Sequence, residues 1–198
     1  MMSQDICIQG SKDFLYLALE DRLKRSGINI ISDPKNASST IGIDTKDEVD
    51  LLIVPKGSKN NNGRLVITIH DLIIPTGHSK WSPKDIYLFV EQIKNNEINI
   101  IDKSKIHYLV HIRDAIEAIS MIVLSNNFHD SRGTMNICGR RAWSNESIFN
   151  ELKMLWTRFH NSINYTHTTE SLSKIPSIIR ENNRKNRERP NLDSLNKE

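Results

Sequence analysis

The chain has 198 residues, enough for one domain that buries a substantial core. Hydrophobic residues make up 37% and charged residues 26% of the sequence, which is typical of a globular protein. Residues 171–198 hold seven Lys or Arg against four Asp or Glu, whereas the rest of the chain is balanced. No apolar run reaches the roughly 20 residues of a membrane span, and no basic-then-apolar leader is present. We therefore expect a cytoplasmic protein rather than a membrane protein.

Short apolar runs alternate with helical patterns along the first half of the chain. Residues 5–9 and 28–31 predict strands on either side of a helix over about 13–26, and 50–54 and 64–69 predict two more buried strands. Near-continuous apolar strands joined by helices predict a mostly parallel sheet with helices on both faces. The predicted fold class is therefore α/β, with a Rossmann-like sheet.

The second half continues the alternation. Strands are predicted at 98–101, 107–112 and 135–138, and helices at 83–95, 114–124 and 144–159, with Asp114 as the cap of the second helix. The two cysteines, Cys7 and Cys138, fall in predicted strands, so we expect buried, reduced thiols. Beyond residue 171 the sequence is polar and charged without periodicity, which predicts a basic, flexible tail.

The most specific motifs lie in residues 108–149. A strand ending in V-x-I-x-D leads into one helix, and a strand ending in N-I-x-G leads toward another; the residues are Val110, Ile112, Asp114, Asn136, Ile137, Gly139 and Ser144. This region resembles the C-terminal half of the extended short-chain dehydrogenase/reductase family, the NAD-dependent epimerases and dehydratases of nucleotide sugars. The resemblance implies one domain of this type over residues 1–170, with a reduced C-terminal lobe.

The turn after the first predicted strand matches the dinucleotide-binding turn of that family only in part. The family pattern T-G-x-x-G-F-x-G corresponds to Q-G-S-K-D-F-L-Y at residues 9–16, where only Gly10 and Phe14 are kept. Asp13 brings a carboxylate to the place of the pyrophosphate. Tyr16 replaces a glycine that allows close packing of helix and strand.

Three residues remain as candidates for binding a cofactor. Gly10 and Lys12 lie in the turn itself, and Asp33 follows the second strand, where an acid would bind an adenosine ribose. Because Asp13 opposes a pyrophosphate, we expect no cofactor and keep NAD(P) as the alternative.

The resemblance also implies a catalytic tyrosine followed four residues later by a lysine on the same helix face. None of the four tyrosines has that lysine; the residues found there are Glu20, Glu91, Ile112 and Thr169. Only residues 56–63 separate the strand at 50–55 from the next, so the segment that would carry the pair is predicted to be missing there. We predict no catalytic residue, and a protein without enzymatic activity of its own is favoured over an enzyme.

Family members hold the diphosphate of a nucleotide sugar partly through arginines. His107 takes one of these positions and Arg189, followed by Pro190, resembles another, so both are candidate substrate-binding residues. His107 and His111 are four residues apart, but on a strand this spacing separates them by about 13 Å. We therefore predict no metal site.

Three functions remain open. The first is a non-catalytic binding or partner subunit in a nucleotide-sugar or surface-polysaccharide pathway. The second is an NAD(P)-dependent epimerase, dehydratase or reductase completed by another subunit. The third is a module whose basic tail binds a polyanion, although nucleic acid is disfavoured because the tail lacks interleaved aromatic residues. We expect a protein partner or an oligomer other than the usual family dimer, since the missing helices build that dimer's interface.

Overall fold

The computed structural model describes residues 5–74, 80–97 and 102–166, with side chains to residue 162. The chain divides into two compact units, residues 1–150 and 151–198. In the described residues the strands are β1 (Asp5–Gly10), β2 (Asn29–Ile31), β3 (Ser39–Ile43), β4 (Val49–Pro55), β5 (Gly63–Ile69), β6 (Leu72–Ile73), β7 (Ile106–His107), β8 (Val110–His111), β9 (Gly133–Ile137) and β10 (Trp143–Ser144). The α-helices are α1 (Phe14–Arg25), α2 (Lys84–Lys94), α3 (Ile112–Val123) and α4 (Asn145–Thr166).

Six strands form one parallel sheet in the order β2–β1–β3–β4–β5–β9. The chain moves from β1 to β2 on one side and then to β3 on the other side. This reversal at β1 is the switch point of a doubly wound sheet. The prediction of an α/β, Rossmann-like, mostly parallel sheet is confirmed.

Strand β3, between β1 and β4, is absent from the sequence prediction. Its sequence, S-T-I-G-I, holds two hydroxyl residues and a glycine, so it lacks the apolar run by which its neighbours are recognised. The strand predicted at 50–54 corresponds to β4. Because β3 lies between β1 and β4, this strand is not the direct neighbour of β1 in the sheet.

Helices α1 and α3 cover one face of the sheet. Leu15, Leu19 and Leu23 of α1 and Ile116 and Ile119 of α3 are at most 5% exposed and belong to the main apolar core. Each such side chain contributes about 2 kcal/mol on burial. Helix α1 begins directly after the turn that follows β1, so its packing against the sheet positions that turn.

Two connections without a helix lie between parallel neighbours in the middle of the sheet. Residues 44–48 join β3 to β4, and residues 56–62 join β4 to β5. A crossover between parallel strands ordinarily takes about a dozen residues or more. The second connection coincides with the predicted site of the missing segment, and the first is a further helix-free crossover that the sequence analysis does not identify.

The connections cover the second face of the sheet. A Cβ added to Gly42 would lie 2.6 Å from Cγ2 of Thr45, so the first connection runs directly above β3. The side-chain amide of Asn60 donates to the backbone oxygen of Thr45, and that of Asn62 donates to the backbone oxygen of Lys46. A second apolar cluster lies on these central strands: Val49, Leu52, Val54 and Val66.

Three details of the sequence prediction need correction. The strand predicted at 107–112 is divided into β7 and β8, and helix α3 already begins at Ile112. Helix α3 is capped by His111, whose Nδ1 accepts a hydrogen bond from the N–H of Arg113 at 3.1 Å, whereas Asp114 lies inside the first turn. Cys7 is buried as predicted, but Cys138 is exposed because β9 ends one residue before it at the edge of the sheet. Both cysteines are free thiols.

In the second unit, the described residues 151–166 continue helix α4. The ring of Trp156 contacts those of Phe159 and His160, with centroid distances of 6.1 and 4.5 Å. No helix within the described ranges is both long and apolar enough to cross a membrane.

Candidate functional site

The carboxyl ends of the parallel strands meet at one edge of the sheet, where doubly wound proteins bind their ligands. Gly10 is the last residue of β1, and Lys12 and Asp33 follow β1 and β2, so the three predicted residues all lie at this edge. The edge also gathers Lys56 after β4 and Asp71 after β5, which the sequence analysis does not single out. We refer to this region as the carboxyl edge.

Gly10 ends β1 with a φ of 121°. A Cβ at this position would lie 2.3 Å from the backbone oxygen of Ile43, so only glycine fits. Because the close contact is with the neighbouring strand β3, the packing of the chain alone requires this glycine. Lys12, two residues on, is exposed.

Asp13 caps helix α1 at the place where a pyrophosphate would lie. Its Oδ1 accepts a hydrogen bond from the N–H of Tyr16 at 3.0 Å, and its Oδ2 accepts one from Nε1–H of Trp81 at 3.0 Å. Trp81 is 3% exposed and belongs to the main core. The ammonium of Lys80 lies 5.4 Å from the centroid of that indole ring and pairs with Asp44.

This arrangement does not fit a dinucleotide pyrophosphate. A dinucleotide-binding helix offers the N–H groups of its first turn to phosphate oxygens. Here a carboxylate of the chain already accepts from one of those groups, and a buried indole holds the carboxylate in place. Its negative charge repels an anion at the same position.

Asp33 uses both carboxylate oxygens in its own turn. Oδ1 accepts from the N–H of Lys35 at 3.0 Å, and Oδ2 accepts from the side-chain amide of Asn36 at 2.8 Å. The residue is exposed, and its role with a ribose stays a prediction.

A buried polar network surrounds Asp71, which is 7% exposed and has a φ of 46°. Its Oδ1 lies 3.3 Å from Nδ1 of His107, and its Oδ2 accepts from the N–H of Tyr108 at 2.9 Å. The ammonium of Lys56 is 3.6 Å from Oδ2. Burial alone raises the pKa of Asp71, but these partners outweigh it and lower the pKa to about 2.

His107 lies inside this network and is 2% exposed. Its Nδ1 faces the Asp71 carboxylate, and its Nε2 lies 2.9 Å from Oδ1 of Asn145. The amide of Asn145 donates to the backbone oxygen of Asp102 at 3.0 Å, which turns its oxygen toward the ring. Two acceptors favour the doubly protonated ring. The hydrogen bond to Asp71 raises the pKa of His107 by more than burial lowers it.

Asp85 of α2 joins the network from the other side. Its Oδ2 lies 3.4 Å from Nε2 of His107 and 2.6 Å from Nζ of Lys105. Burial raises the pKa of Asp85, but the hydrogen bond from Lys105 and its charge outweigh this, so the net shift is downward. Asp85, Lys105 and Asn145 line a cavity of about 280 Å³, whereas His107 does not. The role of His107 as a substrate ligand stays a prediction.

Among the described tyrosines, Tyr16 is not a general acid/base of the expected kind. Tyr16 is 7% exposed, its hydroxyl donates to the backbone oxygen of Ile8 at 3.4 Å, and burial raises its pKa. A catalytic tyrosine needs the opposite shift. Arg189, the other predicted substrate ligand, lies outside the described residues. Within the described ranges no group of His, Cys, Asp and Glu is suited to hold a metal ion.

No protein-family model matches the sequence, and no curated protein is similar to it. Solved structures do match. A dTDP-4-dehydrorhamnose reductase from Bacillus anthracis, in complex with NADP, aligns with a TM-score of 0.53 and 10% identity over 79% of this chain and 82% of that chain. A GDP-L-fucose synthetase from Naegleria fowleri aligns with a TM-score of 0.53 and 8% identity over 76% and 82% of the two chains.

A dTDP-glucose 4,6-dehydratase from Bacillus anthracis, in complex with NAD, aligns with a TM-score of 0.52 and 10% identity over 78% of this chain and 82% of that chain. Identities this low concern the fold and carry no activity with them. The sheet order, the switch point at β1 and these alignments agree: the chain has the fold of the extended short-chain dehydrogenases/reductases.

Proposed function

We propose that the chain is a non-catalytic protein of this fold that acts as a binding or partner subunit. The observation that carries the proposal is the Asp13 carboxylate, which caps helix α1 and is held by the buried indole of Trp81. A dinucleotide site binds phosphate mainly through the free N–H groups and positive end of a helix N-terminus. In this chain a fixed negative charge occupies that position.

The two helix-free connections support the same proposal. The tyrosine and lysine of the resembled family lie on a helix, whereas residues 44–48 and 56–62 join their strands directly. The tyrosine nearest to the glycine turn, Tyr16, is buried against β1 with a raised pKa. Both observations support a chain without the catalytic tyrosine–lysine pair.

The pathway is proposed on the activities of the structural neighbours alone. Those proteins are a dTDP-4-dehydrorhamnose reductase, a dTDP-glucose 4,6-dehydratase and a GDP-L-fucose synthetase. The role most consistent with that fold, and with the Asp13 carboxylate after the glycine turn, is a partner subunit of such an enzyme. Its pathway would be the synthesis of nucleotide sugars or surface polysaccharide. This role predicts a stable complex with a second protein and no turnover by the chain alone.

The decisive experiment is a thermal-shift titration of the purified chain with NAD(H), NADP(H), UDP-sugars and dTDP-sugars. A ligand at 100 times its dissociation constant adds roughly 2.7 kcal/mol, which is several degrees of Tm for a chain of this size. We expect no shift with NAD(H) or NADP(H). A shift with nucleotide sugars alone would be consistent with a non-catalytic subunit that still binds the sugar ligand.

Two variants show whether any dinucleotide shift comes from the carboxyl edge. Lys12→Gln and Asp33→Asn each alter one predicted cofactor contact, and both residues are exposed, so neither change disturbs the core. A dinucleotide shift in the wild-type chain that both variants reduce would overturn the proposal.

A second candidate is an enzyme completed by another subunit. It is favoured by the structural neighbours that are complexes with NAD or NADP. This candidate requires dinucleotide affinity despite Asp13, and activity that appears only when a second chain supplies the tyrosine and lysine. Mixing experiments that monitor absorbance of the reduced nicotinamide separate it from the first proposal.

A further inference from the structure

A row of polar residues crosses the opposite edge of the sheet, where the strands begin. Pairing of Ile41 with Leu51 and of Leu65 with Gly133 fixes the register. The residues one step earlier form the row: Thr40, Asp50, Arg64 and Arg132. We call this region the amino edge. It is distinct from the carboxyl edge, because parallel strands have all their amino ends on one side.

A cavity of about 840 Å³ opens at the amino edge. This volume is within the range of small-molecule sites, about 300–1,000 Å³. Its lining is largely polar and includes the row above, the asparagines Asn61 and Asn62 of the second connection, and Lys46 of the first. The short connections that replace the crossover helices thus form part of its wall.

Arg64 is the most constrained cation of this cavity. Its guanidinium carbon lies 5.4 Å from the ring centroid of Phe128, which is fully buried. Its Nε is 3.5 Å from Oδ1 of Asp50, beyond a good hydrogen bond. Nε and Nη2 are both buried and have no hydrogen-bond acceptor among the described residues. Buried donors of this kind gain most from an anionic acceptor.

The acids of the cavity do not neutralise its cations. Oδ2 of Asp50 accepts from the N–H and the hydroxyl of Thr40 at 2.8 and 3.0 Å, so this carboxylate is engaged beside Arg64. Lys46 and Arg132 are exposed and have no acidic partner within 4.0 Å in the described part of the chain. Glu48 is the remaining acid in the lining. Two unpaired cations therefore face one unpaired acid.

We propose that the amino-edge cavity is a binding site for the phosphate group of a small polar molecule. A phosphate offers several charged oxygens that can be shared among two guanidinium groups, an ammonium and the asparagine amides. A carboxylate has two oxygens and would leave part of this donor set without an acceptor. The site does not depend on the glycine turn, so it stands whether or not a dinucleotide binds at the carboxyl edge.

The test is a titration of the 15N-labelled full chain with inorganic phosphate at constant ionic strength, followed by 1H–15N NMR. We expect saturable shifts of backbone amides near Lys46, Asn62, Arg64 and Arg132. Lys46→Gln and Arg132→Gln remove exposed charges and should each weaken binding about tenfold. Arg64→Lys keeps the charge but loses the planar fork, and should also weaken binding.

Lys35→Gln is the matched control, because it removes an exposed lysine that does not line the cavity and should leave phosphate binding unchanged. Absence of saturable shifts, or shifts confined to residues 10–13 and lost in Lys12→Gln, would overturn the proposal. A parallel titration with glucose 1-phosphate distinguishes two sources of the phosphate group. Tighter binding of the ester identifies a phosphorylated metabolite, and equal binding identifies free phosphate.

Discussion

Asp13 has two effects through one carboxylate. As the cap of helix α1 it contributes about 1 kcal/mol to stability, and the hydrogen bond from Trp81 fixes its orientation. The same charge opposes a pyrophosphate at the helix N-terminus. In a dinucleotide-binding protein a phosphate satisfies that end of the helix only when the ligand is present. Here the Asp13 carboxylate accepts from one N–H group of that turn, the N–H of Tyr16, without any ligand.

The Asp71–His107 pair should make stability depend on pH in two separate windows. The pKa of Asp71 falls from 3.8 to about 2, so its carboxylate contributes about 2 kcal/mol that is present above pH 3.8 and is lost as the pH falls toward 2. The pKa of His107 is raised above 6.5, so its contribution is complete below pH 6.5 and is lost as the pH rises through the raised value. The free energy of unfolding, measured by urea denaturation at a series of pH values, should therefore be constant between the two windows.

The matched variant for this prediction is Asp71→Asn. Asparagine tolerates the positive φ of residue 71 and keeps an acceptor for the N–H of Tyr108, so mainly the charge is lost. Between the two pH windows we expect the free energy of unfolding to fall by about 2 kcal/mol. We also expect a lower pKa of the His107 ring, measured by NMR titration of the imidazole protons. An unchanged His107 pKa in the variant would show that the pair is not coupled as the geometry indicates.

At the scale of elements, the central strands are held together by connections that are too short to contain a helix. Residues 44–48 and 56–62 lie across the second face, and side-chain amides of the second bond to the backbone of the first. The apolar cluster on these strands is small, and its members are at most 5% exposed. The connections therefore have the covering role that crossover helices have in a doubly wound sheet.

Gly42→Ala tests this close covering. The added methyl would lie 2.6 Å from Cγ2 of Thr45 and 3.0 Å from Cγ2 of Val49, so we expect a loss of about 1–3 kcal/mol in urea denaturation. Thr45→Ser removes the nearest methyl and keeps the hydroxyl that bonds Asp47. The double variant should recover part of the loss, because contacting sites are not additive. Equal losses in the single and double variants would mean that the connection does not lie over Gly42.

The strands that the sequence predicts correctly are those with dense apolar runs, such as β1, β4 and β5. Strand β3 escapes prediction because it lacks an apolar run. The hydroxyl of Thr40 instead bonds Asp50 of the next strand, and apolar periodicity does not report such a pairing. At the candidate site, the conflict between Asp13 and a pyrophosphate is readable from the turn alone. The hydrogen bond from Trp81 to Asp13 cannot be read from the sequence, since 68 residues separate the two in the chain.

Across the whole molecule, the charge is divided between a balanced body and a basic C-terminal segment. Residues 171–198 contain all of the net charge of +3, although they are only the last part of the chain. Within the body, the amino-edge cavity is lined by three cations, Lys46, Arg64 and Arg132, and by two acids, Glu48 and Asp50. The amino-edge cavity is proposed to bind a small anion, whereas the C-terminal segment is the candidate for binding an extended polyanion.

Retention on immobilised heparin tests the polyanion role of the C-terminal segment. We expect the full chain to be retained at low salt and released as salt rises, because contacts of this kind exchange with counterions. Replacing Arg180, Arg184, Lys185, Arg187 and Arg189 by Gln should abolish retention. Arg132→Gln, which removes a cation of the amino-edge cavity, should leave the elution salt unchanged. Elution shifted by Arg132→Gln and not by the tail changes would instead assign polyanion binding to the cavity, and a wild-type chain that flows through would remove this role altogether.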